Sequence, residues 1–369
     1  MKIVLSGVNL VEGGTLRVFK DAILAFSKNN DIELICLVHR QALFSDVTAH
    51  NVSFLEFPSI KSSWLKRCWF EYFHCKNLSK NLNADIWFAM HDMTPNVTAK
   101  KRFVYCHNPS PFYTAVKVDY RFEYKMVLFS FFYKWLYQLN IKKNDAVVCQ
   151  QSWIAEYFKT ELGAKKAIIA KPVSKKTQIT STENTTQLVA TNKKVTFFYP
   201  ALARTFKNFE LVLDAFLHLK TNAPDCYNKV ELVLTIDKGS NQYAQHLVKK
   251  YHTLENVTFL GQQPYDEILK LYNRTEVVIF PSKLETWGLP ISEAKEHGKP
   301  LILVDLPYAH ETLGNYDKAH FVDADDPIAL AKSITQICNG TDIFSAHQHK
   351  QHGTVVENWT QLLSIITQD

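Results

Sequence analysis

The seven cysteines of this 369-residue chain form no C-x-x-C pair. Odd in number and scattered, they exclude a disulfide framework and a cysteine zinc site, and fit reduced thiols in a cytoplasm. Long apolar runs are also missing. The most hydrophobic stretch, Met126 to Ile141, is interrupted by Lys134 and falls short of the about 20 apolar residues a spanning helix needs. The opening Met1-Lys2-Ile3-Val4-Leu5-Ser6-Gly7 is too short an apolar run for a signal-peptide core. A cytoplasmic chain without a transmembrane segment is therefore expected. Repeats and collagen-like periodicity are absent, and charged residues at 21% suit a globular protein. G-x-G-x-x-G does not follow the first strand, and no acidic residue clearly takes the ribose role. Both absences count against a dinucleotide oxidoreductase.

Aromatic surface, by contrast, is abundant. The chain holds 24 Phe, 16 Tyr and 7 Trp, which need a large core or an interface to cover them. The net charge of +6 is uneven: residues 1–170 carry 22 Lys and Arg against 14 Asp and Glu, and the remainder carries 20 against 22. A basic first half suits an anionic partner, such as a phospholipid surface, a diphospho-linked acceptor or nucleic acid. It equally suits simple solvation.

Two strand-and-helix blocks are legible. In the first, strands are expected at Lys2–Leu5, Ile32–Val38, Val52–Phe57, Ala84–Phe88, Arg102–Cys106 and Asp145–Cys149, with helices near 15–29 and 65–82. Residues 173–194 are polar, Thr-rich and read as a linker. The second block alternates strands at Val195–Tyr199, Val230–Ile236, Val257–Leu260, Val277–Phe280, Pro300–Val304 and His320–Val322 with helices between them. Alternation of this kind means parallel sheets covered on both faces. The expected division is 1–172, a linker at 173–194, 195–350, and a terminal segment 351–369. Its helix, Val355–Thr367, could cross back to the first domain, which spacing alone does not decide.

The strongest local feature is Ile279 to Gly298, I-F-P-S-K-L-E-T-W-G-L-P-I-S-E-A-K-E-H-G. A strand ends at Phe280, a turn holds Pro281 and Gly288, and a helix starts at Leu289-Pro290, where proline costs nothing. Free N–H groups and the helix dipole at such a start favour an anion. Glu285 lies in the loop at the sheet's C-terminal edge, where ligands of open α/β sheets bind. Glu293, about a turn into the helix, can accept hydrogen bonds from vicinal hydroxyls. Taken alone, Glu293 reads more simply as a solvated acid.

This segment resembles the E-x7-E region of the retaining GT-B glycosyltransferases of family four, which build bacterial surface glycans. The match runs through Pro281-Ser282, Glu285, Gly288-Leu289-Pro290 and Glu293-Ala294. The resemblance implies an α/β GT-B fold, two doubly wound Rossmann-like domains facing across a cleft. It implies that Glu285 lies beside the donor sugar and that Glu293 holds the ribose hydroxyls. Backbone amides of Thr286, Trp287, Gly288 and Leu289 would contact sugar and phosphates. Arg204 and Lys207, in Y-P-A-L-A-R-T-F-K-N, occupy the place of the family's diphosphate-binding pair, at a narrower spacing than is common there. Fixed cations are what a departing diphosphate requires. Gly13 and Gly14 take the place of the glycine loop near the donor phosphates. His107, ending Tyr105-Cys106-His107, takes that of the histidine at the transferred sugar; His91 ends the neighbouring strand. The segment after Asp305 departs from the family's usual Gly-rich turn and Pro-Glu, which leaves the sugar open.

The implied activity is metal-independent transfer, with retention, of a hexose-type sugar. The donor is a nucleoside-diphosphate sugar, UDP- or GDP-linked, and no further cofactor is expected. A glycan acceptor is expected, lipid-linked where the basic aromatic stretches contact a membrane, and the enzyme is expected to be cytoplasmic or peripheral on the inner membrane face. Asp323-Ala324-Asp325 contains a D-x-D, which could hold a divalent metal; Asp326 before Pro327 instead reads as a helix N-cap. Aromatics interleaved with Lys and Arg at 62–80 and 124–143 fit either an interfacial surface or core helices. Nucleic acid ranks low, since no recognised binding module is present. A non-catalytic nucleotide-sugar-binding or scaffold subunit and a GT-B epimerase are the competing functions.

Overall fold

The computed structural model describes residues 1–171, 194–350 and 353–368. The expected linker 173–194 lies outside the described residues, Lys194 excepted. The described residues divide into two compact units. One is formed within 1–111, 131–173 and 351–369, the other within 112–130 and 174–350.

The first unit is built on strands β1 (Lys2–Ser6), β2 (Glu33–Val38), β3 (Val52–Glu56), β4 (Ile86–Ala89), β5 (Lys101–Cys106), β6 (Ala146–Cys149) and β7 (Ala167–Ala170). The second contains β8 (Val195–Tyr199), β9 (Val230–Leu234), β10 (Val257–Phe259), β11 (Val277–Phe280), β12 (Leu301–Val304), β13 (Tyr316–Val322) and β14 (Ser345–His347). A last strand, β15 (Thr354–Val356), pairs parallel with β7 and so returns to the first sheet. The sheet orders are β15-β7-β6-β5-β4-β1-β2-β3 and β10-β9-β8-β11-β12-β13-β14. Among the described residues every pairing is parallel except β13 with β14.

The central strands of both sheets are buried on both faces, which explains why they read as unbroken apolar runs. In β1, Ile3 and Leu5 pack with Phe19, Ile23 and Phe26 of the helix Gly13–Phe26 and with Leu362 and Ile366 of the helix Trp359–Thr367. Val4, between them, points the other way onto Ile35, Leu37, Phe70 and Trp87. The period of two along a strand produces this split.

The structure corrects two expectations and refines a third. Residues 112–130 belong to the second unit, although the expected first domain ran to 172. Its unforeseen helix Lys117–Phe122 is anchored there by Phe122 against Tyr243 (5.6 Å between ring centroids) and by Tyr113 against Phe206 (6.4 Å). The helix expected at 65–82 is present from Trp64 to Leu82, with a π-helical turn at Phe70–His74 within it. The start of the expected helix Val355–Thr367 is strand, because its backbone pairs with β7 and the helix itself begins at Trp359.

Candidate functional site

Two strand neighbours that leave a sheet in opposite chain directions create a crevice at their carboxyl ends, the place where open α/β sheets bind ligands. In the second sheet that point lies between β8 and β11. The loops after Tyr199 and after Phe280 therefore meet, and they are stitched together. The Lys283 N–H donates to the Phe206 carbonyl at 2.8 Å, Asn208 Nδ2 to the Pro281 carbonyl at 3.2 Å, and the Tyr199 hydroxyl to the Lys207 carbonyl at 2.7 Å. Asn208 adopts a left-handed conformation (φ 58°) that turns the chain into the helix Phe209–Asn222.

This stitching brings Lys207 onto Glu285. Lys207 Nζ donates to Glu285 Oε1, and each side chain is mostly buried. Nζ also lies 5.5 Å from the Phe280 ring centroid, which leaves the ammonium in an aromatic wall facing one carboxylate. Arg204 is not part of this pair. Its guanidinium grips Glu123 with both Nε (2.6 Å) and Nη2 (3.1 Å). Glu123 comes from the segment that joined the second unit, and no sequence signal marked it.

After Leu284 the chain passes Thr286 and Trp287, both half-buried, to Gly288 with φ +83°. A Cβ at Gly288 would lie 3.2 Å from Phe280 and 3.3 Å from Ile291, so the backbone conformation favours glycine and the space beside it is tight. The Trp287 carbonyl accepts from the Thr312 hydroxyl, its indole donates to Ser292 Oγ at 3.1 Å, and Leu289 is exposed at the helix start. The helix Leu289–Glu296 carries Pro290 in its first turn, as the sequence suggests. Glu293 accepts a hydrogen bond from the Tyr272 hydroxyl at 2.9 Å, and burial raises its pKa above the usual carboxylate range. Tyr272 and Tyr308, which donates to the Ser282 carbonyl at 2.6 Å, were missed in the sequence. Both are aromatic core residues with a polar tip, and nothing local distinguishes them.

The first sheet has its own reversal point, between β1 and β4. The loop after β1 leads to Gly13 (φ +65°) and Gly14, which open the helix Gly13–Phe26. Nothing lies within 4 Å of a Cβ built on either, so Gly14 is not demanded by the fold itself. The loop after β4 carries His91, fully buried, and Asp92. His107 follows β5. Asp92 is the organising residue here. Its Oδ1 accepts from the His107 N–H (2.8 Å), the Asn108 N–H (3.0 Å) and the Tyr137 hydroxyl (3.1 Å), and its Oδ2 lies 3.6 Å from His107 Nε2. It does so from a left-handed backbone (φ 72°) that aspartate tolerates better than most residues. His91 belongs to a different network. Its Nε2 meets Ser6 Oγ at 3.1 Å, and burial with Arg67 nearby holds its pKa well below the ordinary value.

Asp326 caps the helix Pro327–Cys338, accepting from the Ile328 and Ala329 N–H groups at 2.9 Å each. A cavity of about 600 Å³ lined by Lys2, Asp31, Glu33, His50 and Asp85 opens at the N-terminal edge of the first sheet, away from His91 and His107. Among the described residues no helix is long and apolar enough to cross a membrane.

Fold and sequence converge on one class: a GT-B α/β architecture in which residues 181–352 match the family described as Glycosyl transferases group 1. Among solved structures, the chain is similar to a glycosyltransferase from Rickettsia africae ESF-5 at 16% identity, covering 92% of this chain and 89% of that one, with a TM-score of 0.61. The lipopolysaccharide outer core galactosyltransferase WaaB, apo form, is similar at 15% identity, with 92% and 91% covered and a TM-score of 0.59. In sequence, O-antigen chain mannosyltransferase RfbU of Salmonella typhimurium is 31% identical over 128 residues, 34% of each chain. The aligned stretches span about a third of the length of the first curated relatives.

Proposed function

We propose that this protein is a retaining, metal-independent glycosyltransferase that moves a hexose-type sugar from a UDP- or GDP-linked donor to a glycan acceptor. The observation that carries the reading is the Lys207–Glu285 pair at the reversal point of the second sheet, beside the Gly288 turn and Glu293. The mostly buried ammonium suits a diphosphate leaving group, and fixed cations there act without reorganisation. The helix start after Gly288 adds dipolar attraction for the same phosphates. Glu293 is read as the ribose contact, Glu285 and the amides from Thr286 to Leu289 as sugar and phosphate contacts, and His107 as the contact to the transferred sugar. Gly13 and Gly14 are read as the close approach to the donor phosphates, and Arg204 as a second cation that must leave Glu123 to act. The acceptor hydroxyl attacks the anomeric carbon on the face the diphosphate leaves. The C–O bond to the diphosphate breaks, and a diphosphate oxygen takes the hydroxyl proton, so no metal or enzyme nucleophile is needed.

The acceptor is read as lipid-linked and the enzyme as peripheral on an anionic membrane. Support comes from two rows of exposed side chains in the first unit. Leu65 (83% exposed), Trp69 and Phe73 recur every four residues, and Phe131 (79%), Phe132 and Trp135 line the helix Tyr124–Gln138. Trp64 against Tyr133, 5.7 Å apart, brings the two rows together, with Lys66, Lys76 and Lys134 exposed beside them. Apolar surface rimmed by lysine suits an anionic interface.

The test is a thermal-shift screen of UDP, GDP, ADP, CMP and dTDP with and without EDTA. Stabilisation by one diphosphate, indifferent to EDTA and diminished in Glu293→Ala, is expected. A strict metal requirement, or no stabilisation by any of them, would overturn the site.

A further inference from the structure

The π-turn at Phe70–His74 interrupts the helical rod that began at Trp64. A wide turn frees backbone acceptors, and such turns are frequent at functional sites. Here Asn96 takes them: its N–H donates to the Glu71 carbonyl at 2.9 Å and its Nδ2 to the Tyr72 carbonyl at 3.4 Å. The turn is thereby pinned, with Arg67 and Glu71 pointing inward. Both are buried, and their side chains face each other at 3.6 Å (Nε to Oε1). His91 Nε2 lies 3.3 Å from the same carboxylate oxygen. Burial pushes the Glu71 carboxyl up to about 7 against the pull of Arg67.

A buried ion pair is a poor source of stability, since well-packed apolar residues often do as well or better. What this pair does is visible at its far end. Arg67 Nη2 donates to the His91 carbonyl at 2.9 Å. That carbonyl belongs to the peptide leading into Asp92, the one residue of this corner with positive φ. Asp92 in turn holds the N–H groups of His107 and Asn108 and faces the His107 ring. An unfavourable backbone conformation persists only where its surroundings fix it, and a charge-assisted hydrogen bond is among the strongest available fixings.

We propose that Arg67, anchored by Glu71, is a positioning residue for His107: it clamps the peptide before Asp92, and the Asp92 corner sets the backbone and ring of His107. The importance of this for turnover rests on the function proposed above; the geometry does not.

The test compares the full chain with Arg67→Lys, Arg67→Met and the double variant Arg67→Met/Glu71→Gln. The double variant removes both charges, so it remains informative if Arg67→Met strands the Glu71 carboxylate and fails to fold. Three quantities are read: the His107 ring resonances by NMR, UDP and GDP affinity by calorimetry, and turnover with KM for the donor. The expected result is displaced His107 resonances in the Met variants and recovery toward wild type in Arg67→Lys. Nucleotide affinity and donor KM stay within threefold, and kcat falls at least tenfold. Unchanged His107 resonances in a folded double variant would overturn the proposal. Should His107→Ala itself leave turnover intact, the role given to His107 fails, while the resonances still decide whether Arg67 positions it.

Discussion

The two units share a strand order at their centres, three strands on one side of the reversal point and three or more on the other. They differ in what they place there. The second unit puts a cation against a carboxylate on two stitched loops, with a glycine turn and a helix start beside them. The first puts a histidine, held by a carboxylate on a left-handed corner and backed by a buried Arg–Glu pair. One arrangement suits holding a charged leaving group; the other suits orienting one polar ring. The same fold thus supplies a place, and the loops supply the chemistry.

The comparison breaks most directly at Lys207. Lys207→Ala should lower turnover about 100- to 1000-fold, the usual cost of removing a preorganised electrostatic contact, and should weaken nucleoside-diphosphate binding as well. A steady-state assay paired with calorimetry checks both. His107→Ala should cost turnover about 100-fold yet leave nucleotide affinity within twofold, because His107 is assigned to the transferred sugar and not to the nucleotide. If both variants weaken nucleotide binding equally, the division of labour is wrong. Glu293→Ala should reduce affinity roughly tenfold, near 1.4 kcal/mol.

Stability measurements sharpen the same picture on a smaller scale. Gly288→Ala should destabilise by about 1–3 kcal/mol, since a side chain is forced into positive φ against Phe280 and Ile291. Denaturant unfolding reads this, and an effect below a few tenths would show that the turn relaxes. Glu293 gives a pH signature. Its carboxyl is raised in the folded state, so the native fold prefers the protonated form, and that contribution is lost as pH rises through the raised value. Glu293→Gln should therefore gain melting temperature over wild type near pH 7, the gap closing as pH falls below the unfolded carboxylate range.

Much of the second unit was legible. The strand ending at Phe280, the turn at Gly288 and the Pro290 helix start are local events, written in consecutive residues. The Asp326 cap is equally local. Arg204 shows the limit. Its place three residues before Lys207 suggested a pair, and only packing of residues 112–130 beside it revealed Glu123 as its partner. In the first unit His107 could be picked out at a strand end, whereas Asp92 could not, because its role depends on a backbone turn and on Tyr137 arriving from a distant helix.

The sequence by itself determined the alternating α/β pattern, the apolar strands covered on both faces, and the motif of Glu285, Gly288, Pro290 and Glu293, because periodicity, turn chemistry and capping act over a few neighbouring residues. Tertiary structure alone decided that β15 returns to the first sheet, that Lys207 meets Glu285, and that Arg67 and Glu71 stand behind the Asp92 corner. Those contacts join residues far apart in the chain, and no local preference encodes them. They exist only once burial of the sheets has fixed which loops share an edge.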